Sequence, residues 1–257
     1  MDLFDSHTIS AIVLTAFLGG FIGLDRTALG QFMVSQPVVA GPLVGWLLGD
    51  PRAGLVTGGA LELVWVLDMP IGTFVPADAT VATVAATAIA AIGGGGHAGL
   101  PVIGFSLLLT TVMIPGTMLA DHLMRQRNAR IPQLVLDEKG LPSEARITGW
   151  HLAGLIAFFL KSFILCLVLV PAGLAVLPLF VRLPEPFHIA MVPFISLLPL
   201  LGVAAMTRKL SMQVLDRFLT IGFVVAVLCV SVLGLPAPAA VSASALGGWV
   251  GARYGRA

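Results

Sequence analysis

The sequence predicts an all-α integral membrane protein, a multi-span helical bundle with short broken or re-entrant helices around residues 53–92. Three observations predict it. Hydrophobic residues make up 58% of the 257-residue chain and charged residues only 11%, where a water-soluble domain carries about a quarter charged. Mean hydropathy is +1.01, so most of the surface must face lipid rather than water. Apolar stretches recur along the length, at 9–24, 32–49, 53–67, 79–92, 98–120, 150–181, 188–206, 218–235 and 237–250.

The first stretch follows MDLFDSHTIS. That segment carries Asp2 and Asp5 but no Lys or Arg, so it lacks the positive region of a cleaved signal peptide and reads as leading into the first membrane helix. A straight span needs about 20 residues to cross a hydrocarbon core about 30 Å thick. Residues 98–120 and 150–181 are long enough, the latter with bends expected at Pro171 and Pro178.

Residues 53–67 and 79–92 would each reach only about 20–25 Å. Between them lies DMPIGTFVPAD, in which Pro70, Gly72 and Pro76 oppose helix. Irregular backbone at membrane depth survives where it is buried in protein or lines a wet cavity, and short helices around such a link point to a transporter's binding site. A solvent loop between two tilted helices would give the same pattern.

Two helix starts are written in local chemistry. Gly49-Asp50-Pro51 reads as stop, N-cap and proline at the first helical position. Asp78 precedes ATVATVAATAIAAI and reads as its N-cap. Gly19/Gly23, Gly41/Gly45/Gly49 and Gly54/Gly58 are small residues spaced one helical turn apart, which lets helices in lipid approach closely.

Residues 121–149 form the clearly polar stretch and hold five of the fourteen Lys and Arg residues. The positive-inside rule places this loop, and the tail bearing Arg253 and Arg256, in the cytoplasm. The chain therefore reads as one membrane domain, 1–257. It comprises an N-terminal bundle at 9–120, the polar loop at 121–149 and a C-terminal bundle at 150–257.

Ionisable groups inside lipid cost about 2.5–3.5 kcal/mol by insertion scales and are functional candidates. Glu62 stands in GLVTGGALELVWVL, on one i, i+4 row with Gly54 and Gly58, and Trp65 follows one turn later. A carboxylate accepts hydrogen bonds from the vicinal hydroxyls of a sugar, and an aromatic ring covers its apolar face. A structural Glu62, bonded to a neighbouring helix end, is the other reading. Asp78 is accounted for as a cap, yet caps beside broken helices also face ligands. Thr80, Thr83 and Thr87 continue from it as a polar stripe. Asp25 ends the first apolar run beside Arg26, where pairing at an interface and ligand contact fit equally well. Asp50 reads as a cap. Lys161, inside LIAFFLKSFILCLVL, needs a carboxylate partner or must snorkel. His151 reads as interfacial and His97 as a loop residue.

Other chemistries find no support. Net charge is +1, which implies no nucleic-acid partner. Cys166 and Cys229 have no metal-binding spacing. GxxxxGK[ST], HExxH and GxSxG are missing, so the sequence predicts no metal, no cofactor and no ATPase of its own. Energy for transport must come from an ion gradient or a partner.

Leu24-Asp25, the run from Pro37 to Asp50, Gly54 to Glu62, Ile71-Gly72 and Asp78-Ala79 stand in a fixed order. That order resembles the enzyme IIC component of the mannose/fructose/sorbose family of the bacterial phosphoenolpyruvate-dependent phosphotransferase system. The likeness covers about residues 19–90 well and the rest loosely. Gln36 stands where many relatives have a basic residue. The resemblance implies a non-catalytic subunit that binds a hexose-type sugar and moves it inward across the bacterial inner membrane by an elevator-like shift. It implies a membrane IID partner, trimers of IIC–IID pairs, and cytoplasmic IIA and IIB subunits that carry the phosphohistidines. It also implies sugar contact for Glu62, Asp78 and Asp25, to which the residue reading adds Trp65 and Thr80. An ion-coupled secondary transporter, with Glu62 or Asp78 binding the coupling ion, is the alternative reading. A non-transporting membrane scaffold or sugar sensor is the third.

Overall fold

The computed structural model describes residues 5–26, 28–65, 77–131 and 144–209, together with Gly222 and Val225. The proline-containing link at 66–76 and the apolar stretches expected beyond 209 lie outside the described residues, those two positions apart. Seven helices are described: α1 (Ser6–Asp25), α2 (Pro37–Leu47), α3 (Pro51–Trp65), α4 (Ala79–Gly93), α5 (Leu100–Asn128), α6 (Glu144–Val181) and α7 (Glu185–Lys209). No strand occurs among the described residues. The chain divides into compact units at 1–199 and 200–257, and α1 through α6 lie wholly within the first.

The protein is an all-α integral membrane protein. α1, α5 and α6 are long and apolar enough to cross a bilayer, at 20, 29 and 38 residues. α2, α3 and α4 are 11, 15 and 15 residues long, so they span only about 16–23 Å. α5 runs into the polar stretch as far as Asn128, and α6 starts within it at Glu144. Pro171 and Pro178 lie inside α6, which is continuous.

α2 and α3 form a tight antiparallel hairpin. Gly49 takes φ +83° at its turn, a conformation that glycine adopts without a Cβ penalty. Asp50 then caps α3 by accepting from the Ala53 N–H at 2.9 Å. Its second oxygen accepts from the Ala98 N–H at 2.7 Å and ties the hairpin to the approach to α5. The glycine rows meet across the hairpin: a Cβ on Gly41 would fall 2.7 Å from Gly58 Cα, and one on Gly45 2.8 Å from Gly54 Cα.

α4 is the central helix and touches α1, α2, α3, α5 and α6. Thr80 through Ala91 is buried without a break. Its Ala, Val and Thr side chains are small enough for five neighbours to close in, and its hydroxyls are satisfied inside the protein. Thr83 donates to Ala79 O at 2.7 Å, and Thr87 Oγ1 lies 2.6 Å from Thr57 Oγ1 on α3. α1 packs along α6, where Gly19 faces Cys166 and Gly23 faces Ser162. Cys166 is a buried free thiol, and His97 is an exposed loop residue.

Candidate functional site

One end of this bundle gathers the C-termini of α1 and α3 and the N-termini of α2 and α4. The segment that joins α1 to α2 crosses it, and four of the five predicted site residues bond to that segment or to its flanks.

Asp25, the last residue of α1, accepts from the Phe32 N–H at 2.6 Å and from the Ser35 N–H at 2.9 Å. Thr80, in the first turn of α4, donates to the Ser35 carbonyl at 3.0 Å. Glu62, near the end of α3, accepts from the Val38 N–H at the start of α2 at 3.2 Å. Asp78 receives Arg26 Nη1 at 3.3 Å. Within the segment, Gln31 and Met33 hold φ of +54° and +65°. Such left-handed non-glycine residues cost on the order of 1–3 kcal/mol each and persist where the surroundings over-determine them. The two bonds from Asp25 supply that constraint.

Asp78 caps α4 as its sequence context predicts, accepting from the Val81 N–H at 3.2 Å. It is also the centre of a charge chain that the sequence did not disclose. Lys161 Nζ lies 2.6 Å from Asp78 Oδ2 and 2.9 Å from Asp121 Oδ1. Arg125 Nε closes the chain on Asp121 at 2.7 Å. The order is Arg26–Asp78–Lys161–Asp121–Arg125, three cations to two carboxylates, and it links α1, α4, α6 and α5. Lys161 thus finds two carboxylates and has no need to snorkel. Asp25 does not pair with its neighbour Arg26: both its oxygens serve the segment, while Arg26 reaches Asp78.

Asp25, Asp50, Asp78 and Asp121 each have both oxygens engaged. Glu62 differs. Its Oε2 holds the Val38 N–H, and its Oε1 has no partner among the described residues. The side chain is partly exposed, as is Trp65 one turn on. Trp65 packs part of its surface on a buried cluster that includes Ala53, Ala60, Leu61 and Ile103. No group of His, Cys, Asp or Glu suited to a metal ion occurs among the described residues.

Sequence reasoning named Asp25, Glu62, Asp78, Trp65 and Thr80 but not Arg26 or Asp121. Asp121 had one available signal, its i, i+4 spacing to Arg125 after a long apolar run, which marks a helix continuing past the membrane core.

The family model for the PTS system sorbose-specific IIC component matches residues 8–246. Among curated proteins, the chain is 37% identical over 90 residues to a putative N-acetylgalactosamine permease IIC component 2 of Escherichia coli K12, covering 35% of this chain and 62% of that one. It is 30% identical over 120 residues to the mannose-specific EIIC component of the same organism, covering 45% of each. The chain thus spans about half the length of the curated relatives it matches. A solved structure titled only as a membrane protein shares the fold at a TM-score of 0.65 and 21% identity, covering 91% of this chain and 93% of that one. The mannose transporter ManYZ, solved in complex with microcin E492, does so at 0.55 and 22%, covering 97% and 99%.

Proposed function

The chain belongs to the sorbose-specific IIC component family of the phosphotransferase system, and from that premise we propose that it is the sugar-binding, translocating membrane subunit of such a system. It moves a hexose inward, coupled to phosphorylation of the sugar by a partner IIB subunit. The observation that carries the site assignment is the Glu62 oxygen that has no partner among the described residues. Unlike Asp25, Asp50, Asp78 and Asp121, Glu62 has an acceptor without a partner among the described residues, it is partly exposed, and an aromatic ring follows one turn later. A sugar needs that pair of groups. Asp25 and Thr80 shape the segment around it, and Asp78 holds the α4 N-terminus at its edge.

The subunit itself supplies position rather than covalent chemistry: the sugar hydroxyl must be presented in line with the phosphoryl group. Membership of the family supports a IID membrane partner, cytoplasmic IIA and IIB subunits, trimers of IIC–IID pairs and a place in the bacterial inner membrane. The five Lys and Arg residues of the polar stretch 121–149 support a cytoplasmic loop there, which turns the Asp121 end of α5, and with it this site, toward the cytoplasm. The ion-coupled reading draws less support, because Asp78 is already neutralised by two basic side chains.

Binding of labelled mannose to the bilayer-reconstituted chain and its membrane partner tests the assignment. Glu62→Gln should lose about 10-fold or more in affinity, the scale of a hydrogen bond to a charged group. Unchanged affinity would remove Glu62 from the site.

A further inference from the structure

Arg26 is the loosely held member of the charge chain. Among the described residues Asp78 is its sole partner, and the contact is long at 3.3 Å, against 2.6 Å for Lys161 to the same carboxylate. A guanidinium has five N–H donors in a rigid fork, so four of them have no partner among the described residues. Its side chain is 20% exposed, where that of Lys161 is 8%. Asp78 does not depend on it: Lys161 and the Val81 N–H remain as partners. Lys161 in turn shares Asp121 with Arg125, so the chain carries one cation more than its carboxylates require. The adjacent carboxylate, Asp25, is consumed by the Phe32 and Ser35 N–H groups.

We infer that Arg26 is an anion subsite beside Asp78, at the same end of the bundle as the candidate site, where it receives the phosphoryl group of a phosphate monoester. The inference rests on the transport reading, under which a neutral sugar enters this site and a sugar phosphate leaves it. A phosphate monoester brings a charge of about −1.5 to −2 near neutral pH and three strong acceptor oxygens, and a guanidinium fork meets such oxygens two at a time. Arg26 turns from Asp78 to the ester, while Lys161 keeps Asp78 in place. The free sugar, with no phosphoryl group, gains nothing from Arg26.

The test uses the full chain reconstituted in bilayer discs with its membrane partner, and two probes, mannose and mannose 6-phosphate. Arg26→Gln should weaken mannose 6-phosphate about 10-fold or more, the worth of a charge-assisted pair, with mannose affinity held within about twofold. Arg26→Lys keeps the charge without the fork and should recover part of the loss. If Arg26→Gln fails to assemble, Arg26→Lys is read alone, and weaker ester binding with unchanged mannose binding is the expected result. Ester affinity that ignores both substitutions would overturn the inference and leave the transport reading standing, as would an equal fall for both probes. Absence of binding of any hexose by the unaltered protein, mannose and sorbose included, would overturn the transport reading, and this inference with it.

Discussion

Lys161, midway along an apolar helix, sits 2.6 Å from Asp78, the N-cap of the central helix α4. One ammonium therefore fixes the start of α4 against α6 and, through Asp121 at 2.9 Å, against α5. In a membrane interior such a group persists because its partners are in place.

Lys161→Met should accordingly destabilise the fold strongly. It leaves Asp78, 3% exposed, with the long Arg26 contact and Asp121, 10% exposed, with Arg125, and each hydrogen bond to a charged group that is lost costs about 1.5–3 kcal/mol. Lys161→Arg should recover part of that loss. Thermal unfolding in detergent measures both. Wild-type stability for Lys161→Met would mean that the ammonium is not what holds α4.

Asp25→Asn should act on the segment between α1 and α2. The carboxamide keeps one acceptor and turns an N–H₂ toward the second backbone N–H, so a buried hydrogen bond is lost at about 1–3 kcal/mol. The strained backbone at Gln31 and Met33 then loses half its support. Faster backbone hydrogen exchange at Phe32 and Ser35, with exchange in α4 unchanged, is the expected readout.

Gly54→Ala and Gly59→Ala form a matched pair on one helix. At Gly54 an added methyl meets backbone, with Gly45 Cα at 3.0 Å, whereas at Gly59 nothing lies within 4 Å. Gly54→Ala should split the hairpin and destabilise by about 1–3 kcal/mol. Gly59→Ala should be neutral or gain up to about 1 kcal/mol from helix propensity. Equal behaviour of the two in a thermal unfolding series would contradict the hairpin packing.

Ser162→Ala should cost little. The Ser162 hydroxyl is buried with no hydrogen-bond partner among the described residues. Removing an unpaired buried polar group is close to neutral or stabilising. A loss of more than about 2 kcal/mol would mean that the hydroxyl has a partner after all.

What the sequence disclosed was the local chemistry. Gly49-Asp50-Pro51 and Asp78 announce helix ends because capping is settled within four residues, and both caps form. The glycine rows of α2 and α3 announce a close crossing because their period is that of the helix. Lys161 announced a need for a carboxylate without saying which. Its partners lie 83 and 40 residues away, and no local rule selects them. Asp121 stayed hidden for a further reason: it opens a polar stretch that reads as loop, while helix α5 carries on to Asn128. Asp25, Glu62, Asp78 and Thr80 were legible as a group, but their division of labour was not. Which oxygens are spent and which are free depends on the backbone of the α1–α2 segment, and its left-handed residues Gln31 and Met33 give no sequence signal.

Whether this chain carries a sugar inward as part of a phosphotransferase system is tested most directly in inverted vesicles holding the chain and its membrane partner. They are supplied with labelled hexose, the cytoplasmic subunits and phosphoenolpyruvate, with and without a protonophore. The predicted result is labelled sugar phosphate that forms only with phosphoenolpyruvate and is indifferent to the protonophore. Unmodified sugar moving in a protonophore-sensitive way would contradict that role and turn Glu62 into a coupling-ion site.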